Sequence, residues 1–226
     1  MTLYGIGLGP GQADLITVRG KRLLESVDVV YTPGRLSRSV AASYVDDDRL
    51  SDLEFPMTTD PDELEAAWTV AADVVAPAAT GGDAAFVTLG DPNIYSTFGH
   101  LRRTLARDHP TVDIEVVPGV SSVTAFATAL DVDIEAGSEL VLAEAAAGAA
   151  PTMAERQILF KVTDAPETAR KLEAAGYEVV FGRRLFMDEG ETIVTDDPGV
   201  LEDRDYYTLA YAEHRDYDPE PGPGPA

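Results

Sequence analysis

Val87-Thr88-Leu89-Gly90-Asp91-Pro92-Asn93-Ile94-Tyr95-Ser96-Thr97-Phe98 is the stretch that decides the fold. Ala84 to Leu89 is a short apolar run bounded upstream by Thr80-Gly81-Gly82-Asp83, and it reads as a buried parallel strand. Gly90-Asp91-Pro92 ends that strand, because glycine admits unusual backbone angles and proline disfavours helix in the residue before it. From Ile94 the spacing predicts a helix with Ile94, Phe98, Leu101 and Leu105 on one face. A carboxylate, Asp91, is thereby placed where a strand hands over to a helix, and ligands of open α/β sheets bind at the carboxyl ends of the strands. Asp91 and Asn93 also suit a plain helix cap, so the stretch alone leaves both roles open.

Upstream, Leu3 to Leu8 reads as the first strand and runs into Gly5-Ile6-Gly7-Leu8-Gly9-Pro10-Gly11, followed by a helix over about Thr17 to Ser26. The glycine register fails the dinucleotide fingerprint: counted from Gly5 the third glycine position is Pro10, and from Gly7 it is Gln12. No Gly-Lys-Ser or Gly-Lys-Thr follows, so a P-loop is excluded too. A glycine-proline loop remains, whose bare backbone can lie close to a ligand or simply turn the chain. Val27 to Tyr31 is a second strand, and Thr32-Pro33-Gly34 turns it towards Arg35 and Arg38. The run Asp46-Asp47-Asp48 reads as a solvated loop. A helix is expected from about Pro61 to Ala76, with Leu64, Trp68, Ala71 and Val75 inward and Trp68 in the core.

Downstream, Val112 to Val117 is another strand, closed by Pro118-Gly119-Val120-Ser121-Ser122 and followed by a small-residue helix to about Leu130. This repeats the architecture of the central stretch. Ser121 and Ser122 can donate to a ligand at the helix start or serve as an N-cap. Strands then follow near Glu139–Leu142, Ile158–Thr163, Tyr177–Gly182, Thr192–Val194 and Tyr206–Tyr211, with a helix near Pro166–Ala175. Ala145 to Pro151 reads as a small-residue linker. The pattern is α/β in two α/β domains: residues 1–117, a parallel sheet with helices on both faces, and residues 118–217, a mixed sheet. Residues 218–226, rich in proline and glycine, read as a disordered tail.

Composition excludes several chemistries. The 226 residues contain no cysteine, so disulfides, thiolate zinc sites and cysteine nucleophiles are ruled out, and three scattered histidines argue against a metal cluster. No run approaches the roughly 18 apolar residues of a membrane helix, and no signal-peptide pattern opens the sequence. The expectation is a soluble, cytoplasmic protein. Forty acidic residues against seventeen basic ones give a net charge of −23, which argues against nonspecific nucleic-acid binding. The acids are spread along the chain rather than gathered in a tail. They read as a halophile's solvated surface, whose self-repulsion strong salt would screen.

Four segments in this order resemble the S-adenosylmethionine-dependent tetrapyrrole methyltransferases: Gly7-Leu8-Gly9-Pro10-Gly11, Gly90-Asp91-Pro92 with Tyr95-Ser96, Pro118-Gly119-Val120-Ser121-Ser122, and the late strand Tyr207–Tyr211. Within that family, Phe55-Pro56-Met57, the helix bearing Trp68 and Tyr95-Ser96-Thr97-Phe98 look most like the C20 methyltransferases of corrin synthesis, which act on precorrin-2 or cobalt-factor II. The resemblance implies two α/β domains with S-adenosylmethionine in a cleft between them, a homodimer and no protein-bound metal. It places the cofactor against Pro10, Gly90, Asp91, Ile94, Tyr95, Ser121, Ser122 and Ala125, with further contacts from Lys161, Ala210 and Tyr211. Where many members carry aspartate directly after the first Gly-Pro-Gly, this chain has Gln12, with Asp14 two positions on.

Methyl transfer from a sulfonium to a ring carbon asks mainly for position and alignment, which suits a chain without a nucleophile–histidine pairing. A proton must then leave the methylated carbon, and Tyr95 or a bound water are its candidate acceptors. The implied substrate carries several carboxylates, so a chain of net −23 needs local arginine to hold it. Arg19, Arg35, Arg38, Arg183 and Arg184 are the candidates, with Gly11 on the substrate side of the first loop, and each arginine equally suits pairing with a neighbouring acid. The competing readings are methylation of another tetrapyrrole carbon, methylation of an elongation factor's modified histidine, and a non-catalytic nucleotide-binding α/β protein.

Overall fold

The early strands carry large apolar side chains on both faces, an arrangement that a sheet covered on both sides can bury. The computed structural model describes residues 1–56, 58, 60–135, 138–152, 154–201 and 204–218. The chain divides into two units, Met1–Ser122 and a second that begins at Val123.

In the first unit, β1 (Thr2–Gly7), β2 (Val29–Thr32), β3 (Leu50–Asp52), β4 (Ala84–Thr88) and β5 (Asp113–Val117) form a parallel sheet in the order β3-β2-β4-β1-β5. Four helices cover it: α1 (Val18–Ser26), α2 (Arg35–Ala41), α3 (Pro61–Gly81) and α4 (Phe98–Asp108). Leu3, Tyr31 and Phe86 pack beneath α3 and α4 with Trp68, Ala72, Val75, Phe98 and Leu101. Ile6, Val30, Ala85 and Val87 face the other way and pack with Leu24 of α1 and with Val40 and Ala41 of α2.

Local chemistry sets the helix ends. Thr17 caps α1 through the Gly20 N–H at 3.1 Å. The Asp60 carboxylate caps α3 by accepting the N–H groups of Asp62 and Glu63, at 2.9 and 3.2 Å, with Pro61 in the first turn. The helix expected to stop near Ala76 runs through Pro77 to Gly81, and the Thr80 hydroxyl takes up the Ala76 carbonyl in its last turn at 2.9 Å. A second departure follows Asp46-Asp47-Asp48, which was expected to be loop alone. Asp47–Arg49 is a 3-10 turn, and Arg49 Nη1 donates to the carbonyls of Leu24, Glu25 and Val27 at 3.4, 3.3 and 3.0 Å. That clamp delivers Leu50 into the core and makes β3 an edge strand.

In the second unit, β6 (Val141–Glu144), β7 (Arg156–Phe160), β8 (Tyr177–Arg183), β9 (Ile193–Thr195) and β10 (Thr208–His214) lie in the order β6-β7-β10-β8-β9. Only the β6–β7 pairing is parallel, so the sheet is mixed. Helix α5 (Ser122–Ala129) starts at the division between the units, and α6 (Ala165–Ala174) packs Ala165, Ala169 and Leu172 against Leu159, Tyr177, Phe181 and Ala210. The stretch from Ala145 to Pro151 is not a free linker. Ala145 is fully buried and donates its N–H to Phe160 O at 2.8 Å, while Lys171 Nζ donates to Gly148 O at 2.7 Å. Of the expected tail, residues 219–226 lie outside the described residues, as does Met57 of the Phe55-Pro56-Met57 segment.

Candidate active site

The carboxyl ends of β1, β4 and β5 meet backbone to backbone. Pairing continues past the strands: the Leu8 N–H donates to Thr88 O at 2.9 Å, and the Gly90 N–H donates to Gly9 O at 2.7 Å. A Cβ on Gly7 would lie 2.5 Å from Gly90 O and 2.7 Å from Gly119 Cα, so the three loops close on one another only because no side chain stands between them. Gly90 has φ +71°, and a Cβ there would meet nothing nearer than the Ser122 N at 3.7 Å. Its upper face is therefore open and bordered by the Ser122 N–H. This glycine cradle is the candidate site of the first unit.

Asp91 holds the cradle together. One carboxylate oxygen accepts the Gly119 N–H at 3.1 Å and the other accepts the Asn93 N–H at 2.8 Å. Neither Asp91 nor Asn93 caps a helix, and the helix expected from Ile94 starts only at Phe98. The reason is local hydrogen bonding. The Ile94 N–H closes a turn onto Asp91 O at 3.2 Å, and Tyr95 takes φ +47°. The Ser96 hydroxyl accepts the Phe98 N–H at 3.1 Å and donates to Thr88 Oγ1 at 3.1 Å, folding the loop back onto β4. Phe98, Leu101 and Leu105 are buried as their spacing predicts, whereas Ile94 is half-buried on the loop.

The other expected residues of this unit fall around the cradle. Pro10 and Gly11 are buried in the loop after β1, with Gly11 at φ +150°. Ser121 and Ser122 are half-buried and Tyr95 is 45% exposed; Ala125 is a buried residue of α5 in the second unit. Gly7, Gly119, Thr88 and Ser96 were not among the site residues read from sequence. A glycine at the end of β1 and another two positions past the end of β5 were the available signals for the first two; the Thr88–Ser96 hydroxyl pair had none.

In the second unit, Lys161 follows β7 with φ +54°, pairs with Glu144 at 2.9 Å and lies 5.3 Å from the Tyr206 ring centre. Burial opposes its charge, but Glu144 and the Tyr206 hydroxyl outweigh burial and raise its pKa. The Ala210 methyl sits in the core beneath α6. The Tyr211 hydroxyl accepts from Arg156 Nε at 2.7 Å and donates to the Glu213 carboxylate. Burial, then Glu213, push that hydroxyl up to about 12.

The arginines proposed for substrate are all engaged within the chain. Arg19 pairs with Glu115, and Arg38 sits between Asp47 and Asp52, the latter at 3.1 Å. The Thr32 hydroxyl, with Arg38 beside it, holds the Asp52 carboxyl below the usual range. Arg184, at φ +50°, pairs with Asp205 at 2.6 Å and donates to Glu189 O at 3.1 Å. Arg183 is buried at the end of β8, and Arg35 is exposed as the first residue of α2. Among the described residues no cluster of three or more histidines and carboxylates is placed to hold a metal, and no helix is long and apolar enough to cross a membrane.

A parallel sheet with glycine loops meeting at its carboxyl edge, joined in sequence to a mixed α/β unit, defines the class: a two-unit α/β protein whose strand ends form the candidate site. The model of the tetrapyrrole (corrin/porphyrin) methylases matches residues 2–199, and the chain belongs to that family. It is 33% identical over 143 residues to a probable cobalt-precorrin-2 C(20)-methyltransferase of Methanocaldococcus jannaschii, covering 61% of this chain and 60% of that one. It is 40% identical over 133 residues to the cobalt-precorrin-2 C(20)-methyltransferase of Salmonella typhimurium, covering 55% of each. The match thus spans somewhat over half the length of these relatives. Among solved structures, uroporphyrin-III C-methyl transferase from Thermus thermophilus complexed with S-adenyl homocysteine matches with a TM-score of 0.67 and 17% identity, covering 94% of this chain and 97% of that one, which shows a shared fold.

Proposed function

We propose that the chain is an S-adenosylmethionine-dependent C-methyltransferase acting at C20 of a tetrapyrrole, cobalt-factor II or precorrin-2, in cobalamin biosynthesis. Family membership and the names of two relatives support the reaction class and the carbon. The observation that carries the cofactor assignment is the open face of Gly90 against the α5 N-terminus. A cofactor with an amino-acid end and a purine fits such a surface, since bare backbone allows close approach and helix N–H groups favour a carboxylate.

S-adenosylmethionine, when bound, supplies a methyl group on a sulfonium that a nucleophilic carbon can accept. The chain's own residues contribute placement. Gly7, Gly90 and Gly119 keep the surface bare, Asp91 ties two of its three loops, and Ser121 and Ser122 border it. Each Asp91 oxygen keeps a lone pair beyond the backbone N–H it accepts, so the same carboxylate can take a ligand hydroxyl or amine. Holding two reactants in line supplies on the order of 7–11 kcal/mol of a barrier, so alignment accounts for much of such catalysis. Arg35, exposed at the start of α2, is the arginine we assign to a substrate carboxylate. Tyr95, exposed on the loop after β4, is the side chain we place nearest the departing proton. We further infer a homodimer, and a surface adapted to strong salt from the charge of −23.

The test is incubation with methyl-labelled S-adenosylmethionine and either cobalt-factor II or precorrin-2, followed by NMR of the product. A single label at C20 is expected. A label at another carbon would reassign the position within the family, and no transfer together with no calorimetric heat from S-adenosylhomocysteine would end the methyltransferase reading.

A further inference from the structure

A groove between α3 and α4 in the first unit encloses about 460 Å3, within the roughly 300–1,000 Å3 common for small-ligand sites. None of the cradle residues lines it. Its walls are Pro61, Leu64 and Trp68 from α3 and His100, Arg103 and Thr104 from α4. Trp68 is only 7% exposed and is held between two rings, Phe55 at 4.1 Å and His100 at 5.4 Å between centres. The apolar floor is therefore fixed rather than adaptable.

The charges of the groove are unbalanced in one place. At one end Arg107 is matched by Glu65 at 2.6 Å and by Asp108 at 2.7 Å. Arg103 Nη2 lies 3.2 Å from His100 Nδ1. A guanidinium has only donors, so Nδ1 is the acceptor in this contact. Among the described residues no carboxylate lies within ion-pair distance of Arg103, although Arg19, Arg38, Arg107, Arg156, Arg170 and Arg184 each have one. Arg103 thus lines an apolar groove with a guanidinium that, among the described residues, no carboxylate neutralises.

We propose that this groove is a binding site for a small carboxylate with an apolar body. The guanidinium of Arg103 takes the carboxylate, for which its planar fork is suited. The hydrocarbon lies along Pro61, Leu64 and Trp68, which gain by covering apolar surface. The site stands independently of the methyl-transfer reading, since it shares no residue with the cradle.

Trp68 is the only tryptophan of the chain, so the protein's tryptophan emission comes from a residue that lines this groove. The parent protein is titrated with cyclohexanecarboxylate, which does not absorb with indole, and in parallel with cyclohexanecarboxamide and with acetate at equal ionic strength. A saturable change with cyclohexanecarboxylate only is expected. Arg103→Gln, on an exposed helix face, should weaken it by about tenfold or more, the size of one lost charge-assisted hydrogen bond. Arg22→Gln on α1 should leave it unchanged. Leu64→Glu, which sets a carboxylate into the groove, should abolish it, and thermal melts check that each variant is folded. No saturable response in the parent, an equal response to the carboxamide, or a parent-like titration in folded Arg103→Gln would overturn the proposal.

Discussion

The backbone N–H of Gly119 donates to the carboxylate of Asp91 at 3.1 Å, joining the loop after β5 to the loop after β4 across the carboxyl edge of the sheet. Asp91→Ala removes the acceptor of two backbone N–H groups, Gly119 and Asn93. A hydrogen bond to a charged group is worth roughly 1.5–3 kcal/mol, so the variant should melt measurably lower and bind S-adenosylhomocysteine more weakly. Asp91→Asn keeps one carbonyl acceptor and should fall between the two. A parent-like melt and calorimetric titration in Asp91→Ala would show that the tie does not hold the loops.

Gly7 and Gly90 should respond differently to the same added methyl. At Gly7 the methyl meets backbone at 2.5 Å, and relief requires moving a strand end. Overpacking of that kind costs roughly 1–3 kcal/mol or more, so Gly7→Ala should lose stability and ligand binding together. At Gly90 there is room, and the cost is the φ of +71°, on the order of 1–2 kcal/mol for a residue with a Cβ. Gly90→Ala should therefore lose more cofactor affinity than its stability change accounts for. Thermal melts and calorimetry on both variants separate these cases, and unchanged affinity in Gly90→Ala would remove its open face from the site.

Arg35 and Arg38 divide what sequence reading treated as one pair. Arg38 lies between Asp47 and Asp52. Asp52 has its pKa lowered, first by Thr32 and then by Arg38, so the stability it contributes is present above the ordinary carboxylate pKa and is lost as pH falls through the lowered value. Asp52 is more than half exposed, so solvent screening keeps this below about 1 kcal/mol. Arg38→Ala should lower the melting temperature slightly near neutral pH and bring the acid limb of the stability profile to higher pH. Arg35→Ala should weaken tetrapyrrole binding more than cofactor binding. Equal binding of both ligands by Arg35→Ala and its parent would take Arg35 out of the substrate's reach.

Tyr211 predicts an alkaline limb. Burial and Glu213 raise its folded pKa to about 12, above the ordinary value of 10.0. The folded state therefore holds its proton where the unfolded state has lost it, and stability is complete below the ordinary value and falls as pH rises towards 12. Replacement by phenylalanine should flatten that fall, while leaving Arg156 and Glu213 without their shared hydroxyl. Tyrosinate absorbance and denaturant melts across the alkaline range check it; an identical alkaline limb in Tyr211→Phe would assign the loss to other groups.

The charge of −23 predicts a salt response. Between about 0.1 M and about 1 M salt the screening length falls from roughly 10 Å to roughly 3 Å, which removes most long-range self-repulsion. The melting temperature should rise over that interval and continue upward in potassium chloride. A melting temperature indifferent to salt would end the halophile reading.

The strands and most helices of this chain were legible because their apolar periods are strong. Leu3 to Leu8, Ala84 to Leu89 and Tyr177 to Gly182 had the length and composition of strands, and the Trp68 face read as a helix core, as the structure shows. β3 was not legible, since three residues behind an acidic run carry no period; Arg49 makes it a strand by gripping the end of α1. The start of α4 was misplaced because Ile94 falls in register with Phe98, while Asp91, Ser96 and Thr88 bend the backbone away through side-chain bonds that no period records. At the site, Gly90 and Asp91 were visible from their place after a strand. The closure of Gly7 on Gly119 was not, because it depends on which strands are neighbours.

β1 is synthesised before both of the strands that flank it, β4 and β5, with Leu3 opposite both Ala84 and Ile114. At elongation rates of roughly 5–20 residues per second, this hydrophobic strand waits several seconds for either neighbour to leave the ribosome. During that time Leu3, Ile6 and Leu8 are exposed in a nascent chain, a hazard that a trigger-factor-like holdase is suited to cover. Pulse-labelled translation should show the first unit becoming protease-resistant only after the segment 113–117 has cleared the exit tunnel.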